Sequence, residues 1–446
     1  MSTASRTSDR PLACIVMAGG KGTRMRSALP KVLHPIWGRP LLGWVIAAVR
    51  EAGAERVVVV VPPDAAESVA AVAGDAETVI QHDQLGTGDA VRCAMPPLEG
   101  FTGDVLIVSG DTPLLTAELL GGLVDAHIAD GAAATAATFQ IDQPGSYGRV
   151  IRDAAGIRIV EAKDATPAEL EVDEVNAGLY VFDADALRPA LAGLTNDNAQ
   201  GEYYLPDVVP AIAAAGGRAS ASLVDDASLL LGVNTRVELA AAAQIIRDRI
   251  IEQHLLAGAG IVDPATTYID ADVELEADCV VHPYTILRGR TRLAAGAEAG
   301  PHSVLTDSIL DSGAQAGPFA HLRAGTHLHA GARVGAFAET KNTELGARSK
   351  IPHLSYVGDA TVGEDTNIGA GNITANYDGT RKHRTTIGDR VRTGSDCVFV
   401  APVEIGDDAT TGAGSIITDD VPAEALGIAR ARQVNKEHYA KRKRDV

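Results

Sequence analysis

Two regimes of apolar spacing divide the chain. From residue 11 to about 226, short β-branched runs at 13–17, 56–61 and 105–108 alternate with helix-length segments. Such runs suit strands buried on both faces by crossover helices, so this half is predicted to be an α/β domain. Its sheet should be mainly parallel, doubly wound and Rossmann-like, with ligands at the carboxyl ends of the strands. Between 235 and 256, Val237, Leu239, Ile245, Ile246, Ile250, Ile251, Leu255 and Leu256 recur at helical spacings among charged residues. That pattern predicts one amphipathic helix, ended by Gly258 to Gly260. Beyond it the period becomes six. Hexads open at Ile269, Leu275, Val281, Leu287 and Leu293, and later at Ala316, Leu322, Leu328 and Val334; the same register returns from Ile387 to Thr411. An apolar residue at every sixth position is the signature of a parallel β-helix whose stacked coils bury one column. Its open ends need a cap, a preceding domain or a partner subunit.

The domain limits that follow are a polar N-terminus at 1–10 expected to be disordered, an α/β domain at 11–234, a linker helix at 235–260, and a β-helix with a C-terminal tail at 261–446. Residues 372–386, which hold Asn376-Tyr377-Asp378-Gly379 and a basic run, break the hexad register and should leave the coil. Loops that depart from a rigid scaffold often carry function.

Charge and composition narrow the partners. The formal charge of −19 over 446 residues disfavours nucleic acid or an anionic membrane and points to small, locally clamped substrates. No apolar stretch approaches the roughly 20 residues that span a bilayer, and residues 1–10 lack the apolar core of a signal peptide, so a cytoplasmic enzyme is expected. Cys14, Cys93, Cys279 and Cys397 are far apart and form no CxxC pair, which predicts reduced, mostly buried thiols.

Candidate chemistry in the first half sits just after the strands. The loop Met17-Ala18-Gly19-Gly20-Lys21-Gly22-Thr23-Arg24-Met25 lets backbone N–H groups approach phosphate oxygens, and a following helix would add its positive end. It matches neither the P-loop nor the full dinucleotide-binding spacing, so an ordinary tight turn is the competing reading. Farther on, Gln81 offers a donor and an acceptor to a base edge, and Gly86 and Thr87 can present backbone groups. Asp111 lies at the carboxyl edge of the sheet, as a functional carboxylate or as a turn residue.

With Pro30-Lys31 close behind, the glycine loop resembles the signature of the sugar-1-phosphate nucleotidyltransferases. The resemblance implies that Ala18, Gly19 and Gly20 meet the nucleotide, that Arg24 and Lys31 neutralise the triphosphate, and that Gln81, Gly86 and Thr87 read uracil. It also implies Mg²⁺ on Asp111 and Asn234, although Asn234 could instead cap the linker helix. Gly148, Glu161 and Asn176 match positions that hold the amino-sugar. The phosphate of N-acetylglucosamine 1-phosphate would then attack the α-phosphorus of UTP and release pyrophosphate. A phosphate monoester is already a nucleophile at neutral pH, so charge neutralisation and positioning matter more than a general base.

In the second half Arg323, Glu339-Thr340-Lys341, His353 to Asp359, Asn367 to Gly371 and Asn376 to Gly379 follow in order. With the first half they resemble the bacterial GlmU family, which joins N-acetylglucosamine-1-phosphate uridyltransferase and glucosamine-1-phosphate acetyltransferase; the likeness covers about residues 11 to 440. Acetylation must take a proton from an ammonium, a task for a group titrating near neutrality, and His353 fits it. The resemblance implies that Arg323 and Lys341 clamp the sugar phosphate, that Tyr356 and Asn367 orient the sugar, and that Lys382 joins them from the loop. Asn376 and Tyr377 line the same pocket and count with Ala370, Ser395, Ala413 and Arg430 as acetyl-CoA positions. It further implies a left-handed coil, a homotrimer with acetyl sites between neighbouring β-helices, and a product used in cell-wall synthesis. The chain departs from the common pattern at Gly19, often alanine, and at Ser109, often tyrosine. A second reading keeps one nucleotidyltransferase activity and leaves the β-helix to assembly or regulation. His321, His327 and His329 invite a metal reading, but the hexad register is expected to scatter them over different faces. The basic end, Lys441 to Arg444, is expected to be a soluble tail.

Overall fold

The structure, a computed structural model, describes residues 10–20, 22–153 and 156–444. The expected disordered segment up to residue 9, and Lys21 of the glycine loop, lie outside the described residues. The chain forms two compact units, residues 1–246 and 247–446, and the division falls inside one helix, Arg236–Leu256.

The first unit is built on a nine-stranded sheet. Its main path runs Ala219–Leu223, Ala134–Gln140, Glu174–Asp183, Asp104–Ser109, Leu12–Met17, Arg56–Val61, Glu77–Ile80. Every neighbouring pair on that path is parallel except those made by Glu174–Asp183, which runs antiparallel to both its neighbours. The period of two along each strand sorts its side chains into two cores. Leu12, Cys14, Val16, Val57, Val59, Leu106 and Val108 pack on one face, and Ala13, Ile15, Val58, Val60, Val105 and Ile107 on the other. Successive strands leave Leu12–Met17 on one side and then continue with Asp104–Ser109 on the other. This reversal of strand order opens a crevice at the carboxyl ends of those two strands.

The second unit is a parallel β-helix of three-stranded coils. Tyr268–Ile269, Glu274–Leu275 and Val280–Val281 make one coil, and Ile286–Arg288 of the next lies in register on the first strand, Ile269 beside Leu287. Ile269, Leu287, Leu305, Leu322, Thr340, Val357, Thr374, Phe399 and Ile417 form one inward column, all buried. The hexad is not uniform. It shortens to five at the corners between Leu305 and Leu310, Thr340 and Leu345, and Val357 and Val362, where Asp307, Asn342 and Asp359 have φ of 44°, 47° and 48°. Asp and Asn tolerate this left-handed region better than other non-glycine residues. Along another corner Tyr284, His302, Phe319 and Phe337 stack at ring spacings of 4.6 to 5.1 Å.

Two expectations need correction. The departure from the coil is narrower than 372–386: Ile373–Ala375 and Thr385–Ile387 are strands in register, and only the stretch between them leaves the coil. The histidines are not all scattered. His327 and His329 are two residues apart on an extended segment, so the period of two puts both outward, and their rings lie 4.1 Å apart. His321 stands apart from them, 3.9 Å from Glu339.

Candidate functional sites

At the crevice of the first unit the glycine loop leaves Met17 with the Ala18 N–H donating to the Val60 carbonyl at 2.8 Å. No α-helix follows, contrary to expectation. Gly22 (φ 57°) and Arg26 (φ 49°) are left-handed and limit Thr23–Met25 to one 3₁₀ turn, and a second such turn, Lys31–Leu33, follows Pro30. Positive charge therefore comes from side chains rather than from a helix end. Arg24 and Lys31 donate to the same oxygen, Asn234 Oδ1, at 2.9 and 3.0 Å, and Lys31 Nζ also pairs with Asp111 Oδ2.

The pair is well enclosed: the Lys31 and Asp111 side chains are 11% and 15% exposed. Ser109, the family departure, donates its hydroxyl to Asp111 Oδ1 at 2.6 Å, and the Val233 N–H donates to the Asp111 carbonyl at 2.8 Å. The two possible roles of Asn234 separate cleanly. Thr235 and Glu238 cap the helix reciprocally, with the Glu238 carboxylate accepting from the Asn234 and Thr235 N–H groups, which leaves the Asn234 side chain facing the cations.

Lys31, Ser109 and Asp111 border a cleft of about 430 Å³ lined also by Ala18, Gly19, Gly20, Gln81, Gly86, Thr87 and Glu202. Gln81 is buried and its amide N–H₂ is engaged by the Gly86 carbonyl at 3.1 Å and Asp89 at 2.8 Å, so Oε1 is left as the acceptor facing Gly19. A Cβ on Gly19 would lie 2.9 Å from that oxygen. The Thr87 hydroxyl accepts from the Leu205 N–H at 3.1 Å, so its contribution to a ligand is through the backbone. Gln84, absent from the sequence-level candidates, braces the loop by donating to the Gly19 carbonyl at 2.6 Å.

The sugar positions also come together. The Gly148 carbonyl accepts from the Asn176 N–H at 2.9 Å, and a Cβ on Gly148 would sit 3.4 Å from Glu161 Oε1. Burial, reinforced by Asp164, Asp207 and Glu202, pushes the Glu161 carboxyl above the usual range. The Asn176 amide donates to the Tyr180 hydroxyl at 2.6 Å.

On the β-helix, His353 ends the strand Lys350–His353 at the corner that carries the aromatic stack. Its carbonyl accepts from Gly371, that of Ala370 from Asp396, and that of Ser395 from Gly414. His353, Ala370, Ser395 and Ala413 therefore form one column, one coil apart each, with the Arg430 side chain over Gly414 at its end. Beyond the aromatic stack this corner carries Leu354 and then Gly371, Asp396 and Gly414 beside the column.

Around the corner, Arg323 and Lys341 meet Lys382 from the extruded loop. Contact with the Lys382 ammonium, then the Arg323 charge, holds the Lys341 amine below the ordinary lysine range. Arg323 also donates to Glu339 at 2.9 Å. Asp359, nearly buried, accepts from Asn342 at 2.7 Å and from the Asn376 amide, which lies 3.5 Å from the Tyr356 hydroxyl. Asn342 and Asp359 carry no family assignment above; their signal was the shortened hexads they occupy. The Tyr377 hydroxyl donates to the Gly379 carbonyl, closing the loop on itself. One predicted residue is elsewhere. Asn367 pairs with Lys350 and Arg392 on a different face, among Arg333 and Arg348, and does not join Arg323, Lys341 and Tyr356 within one chain.

Comparison with known proteins agrees with this two-part build. Residues 14–204 match the MobA-like NTP transferase domain, and residues 384–419 match the bacterial transferase hexapeptide of six repeats. A bifunctional protein GlmU of Kineococcus radiotolerans is 49% identical, over 97% of this chain and 93% of that protein. Those of Streptomyces avermitilis and Trichlorobacter lovleyi are 48% and 46% identical, covering 98% and 97% of this chain and 95% and 99% of theirs.

Proposed function

The chain belongs to the GlmU family, uridyltransferase and acetyltransferase in one polypeptide, and from that premise we propose which of its residues carry each reaction. It is a bifunctional enzyme of UDP-N-acetylglucosamine synthesis, using UTP and acetyl-CoA; the reading in which the β-helix serves assembly alone is set aside. Its hexapeptide coil is the left-handed β-helix of that family.

In the first unit UTP lies in the cleft with uracil donating its ring N–H to Gln81 Oε1 and its phosphates over Ala18 to Gly20. The observation that carries this reading is the meeting of Lys31 and Arg24 on Asn234 Oδ1 while Lys31 also holds Asp111. Because one ammonium touches both oxygens, Asp111 and Asn234 converge on a point suited to a cation, and a carboxylate with an amide oxygen is a hard donor set that fits Mg²⁺. Mg²⁺, when bound, supplies charge neutralisation between phosphate oxygens. Lys31, released from Asp111, and Arg24 then neutralise the α- and β-phosphates as the N-acetylglucosamine 1-phosphate oxygen bonds to the α-phosphorus and pyrophosphate departs. Glu161 and the Asn176 and Gly148 backbone orient the amino-sugar.

In the second unit acetyl-CoA runs along the column of Ala370, Ser395 and Ala413, its phosphates toward Arg430 and its thioester toward His353. Arg323, Lys341 and Lys382 bind the phosphate of glucosamine 1-phosphate, while Tyr356, Asn376 and Tyr377 line the sugar. His353 takes a proton from the ammonium, the freed amine bonds to the acetyl carbon, the C–S bond breaks, and coenzyme A leaves as the thiol. Asn367 lies on another face of the coil; in the homotrimer that we propose it completes a neighbour's site. UTP and acetyl-CoA are cytoplasmic metabolites, and that is where the enzyme acts; among the described residues no helix is long and apolar enough to cross a membrane.

His353→Ala tests the division of labour. Thiol release from acetyl-CoA should fall by more than 10²-fold, with pyrophosphate release from UTP unchanged; retained acetylation removes His353 as the base.

A further inference from the structure

Outside both sites, the third and fourth coils of the β-helix bring Asp311, His327 and His329 together on the outer surface. Asp311 Oδ2 lies 3.0 Å from His327 Nε2 and 3.3 Å from His329 Nδ1, and ligand atoms of all three residues fall within 4.8 Å of one another. The architecture fixes this placement. Leu310 and Leu328 are stacked in register, which sets Asp311 beside His329, and His327 shares the outward face of the same strand. The following coil has Gly346 next to His329, a neighbour without a side chain. Glu344 is in register beside His327 and stands outward. Arg292, two coils earlier, has its charge taken up by Glu276 at 2.6 Å.

The geometry points to a binding site for a borderline divalent transition metal, Zn²⁺ or its neighbours Co²⁺ and Ni²⁺, held by Asp311, His327 and His329. Two imidazoles and one carboxylate are donors of that class and not of the all-oxygen class that Mg²⁺ and Ca²⁺ require. Bonds of about 2.0–2.1 Å to a tetrahedral ion place ligand atoms about 3.3 Å apart. Both histidine-to-carboxylate separations are already near that length, and the third edge, between the two imidazoles, is at most 4.8 Å. All three side chains are partly exposed, and the remaining position is open to water or to the Glu344 carboxylate. A bound ion would tie one coil to the next, and because both ring nitrogens must be free of protons to ligate, acid would release it.

The test uses the full-length protein, stripped of metal by a chelator and kept in excess Mg²⁺ so that hard oxygen sites are occupied. Titration with Co²⁺, followed by its visible absorption, and with Zn²⁺, followed by calorimetry, should give one equivalent per chain and a raised melting temperature. Asp311→Asn should weaken binding at least tenfold, and the double variant His327→Ala/His329→Ala should abolish it with far-ultraviolet circular dichroism unchanged. Failure of the wild type to take up either ion, or an unaltered titration in the double variant, overturns the site. Neither result bears on the two enzymatic activities.

Discussion

Gly22 is the residue on which the first site turns, and Gly22→Ala tests why. Its φ of 57° costs a non-glycine residue about 1–2 kcal/mol. In addition a Cβ there would lie 2.7 Å from Lys31 Cβ, with the Lys31 N and Cα at 3.5 and 3.6 Å, against an ordinary contact of 3.4–4 Å. Because the obstacle is the base of the side chain and the backbone behind it, a rotamer change cannot relieve it. Lys31 must retreat by about 1 Å, enough to part Nζ from Asn234 Oδ1, now at 3.0 Å. A displacement of that size at a charge-neutralising group costs about 10²-fold in rate. Pyrophosphate release should fall by that factor while thiol release, measured on the same preparation, stays at the wild-type rate. Gly20→Ala is the contrast: nothing lies within 4 Å of its Cβ and its φ is ordinary, so the loop keeps its shape and any loss appears in the KM for UTP. Uridylyl transfer by Gly22→Ala within threefold of wild type would refute the coupling of this turn to Lys31.

Gly121 lies inside the helix Ala117–Ala129 with open space around a Cβ, so Gly121→Ala should stabilise the first unit by about 1 kcal/mol, seen as a rise of a few degrees in its thermal transition. Lys341 loses its charge at a lower pH than an ordinary lysine because of Lys382 and Arg323, so affinity for glucosamine 1-phosphate should decline on the alkaline side. Lys382→Met removes the leading cause and should move that limb to higher pH even as affinity drops, which calorimetry across pH would reveal. Asn342→Ala loses the 2.7 Å bond to nearly buried Asp359 and places alanine at φ 47°, for a loss of about 2–4 kcal/mol and slower thiol release. Asn342→Gly relieves the backbone and should recover part of the stability but not the rate.

The sequence made the two folds legible because both depend on periods that side chains repeat many times. Alternation in 12–17 and 56–61 sorts residues to two cores, and one column from Ile269 to Ile417 carries the coil. What failed were features set by single corners. The glycine loop reads as the approach to a helix, yet two left-handed residues, Gly22 and Arg26, flank Thr23–Met25 and stop it after one turn. Likewise a strict six-residue register hides the five-residue corners, and with them the Asn342 to Asp359 contact that supports Asn376. His327 and His329 come together because a six-residue period describes coils, whereas neighbours on one strand follow a period of two. Asn367 was legible as a motif residue, but its face is decided by counting strands around the coil, which local spacing does not give.

The two sites hold their cations in opposite ways, and the difference follows from what each must do. Lys31 is nearly enclosed, and an enclosed ammonium is tolerable only with partners, here Asp111 and Asn234. Those partners also fix it in place before UTP arrives, which is what a group acting on developing charge at the α-phosphate requires. Ser109 adds to this by holding the far oxygen of Asp111, so that the carboxylate cannot follow Lys31 when the ammonium turns to phosphate. Lys341 has the reverse setting: it is only half-buried, crowded by Lys382 and Arg323, and destabilised as a cation by both. Solvent makes that crowding affordable, and an arriving phosphate dianion relieves it, so mutual repulsion in the free enzyme becomes added affinity in the complex. Positioning of a reacting centre thus falls to a nearly enclosed, partnered lysine, and capture of a substrate handle to a solvent-reached, repelling pair.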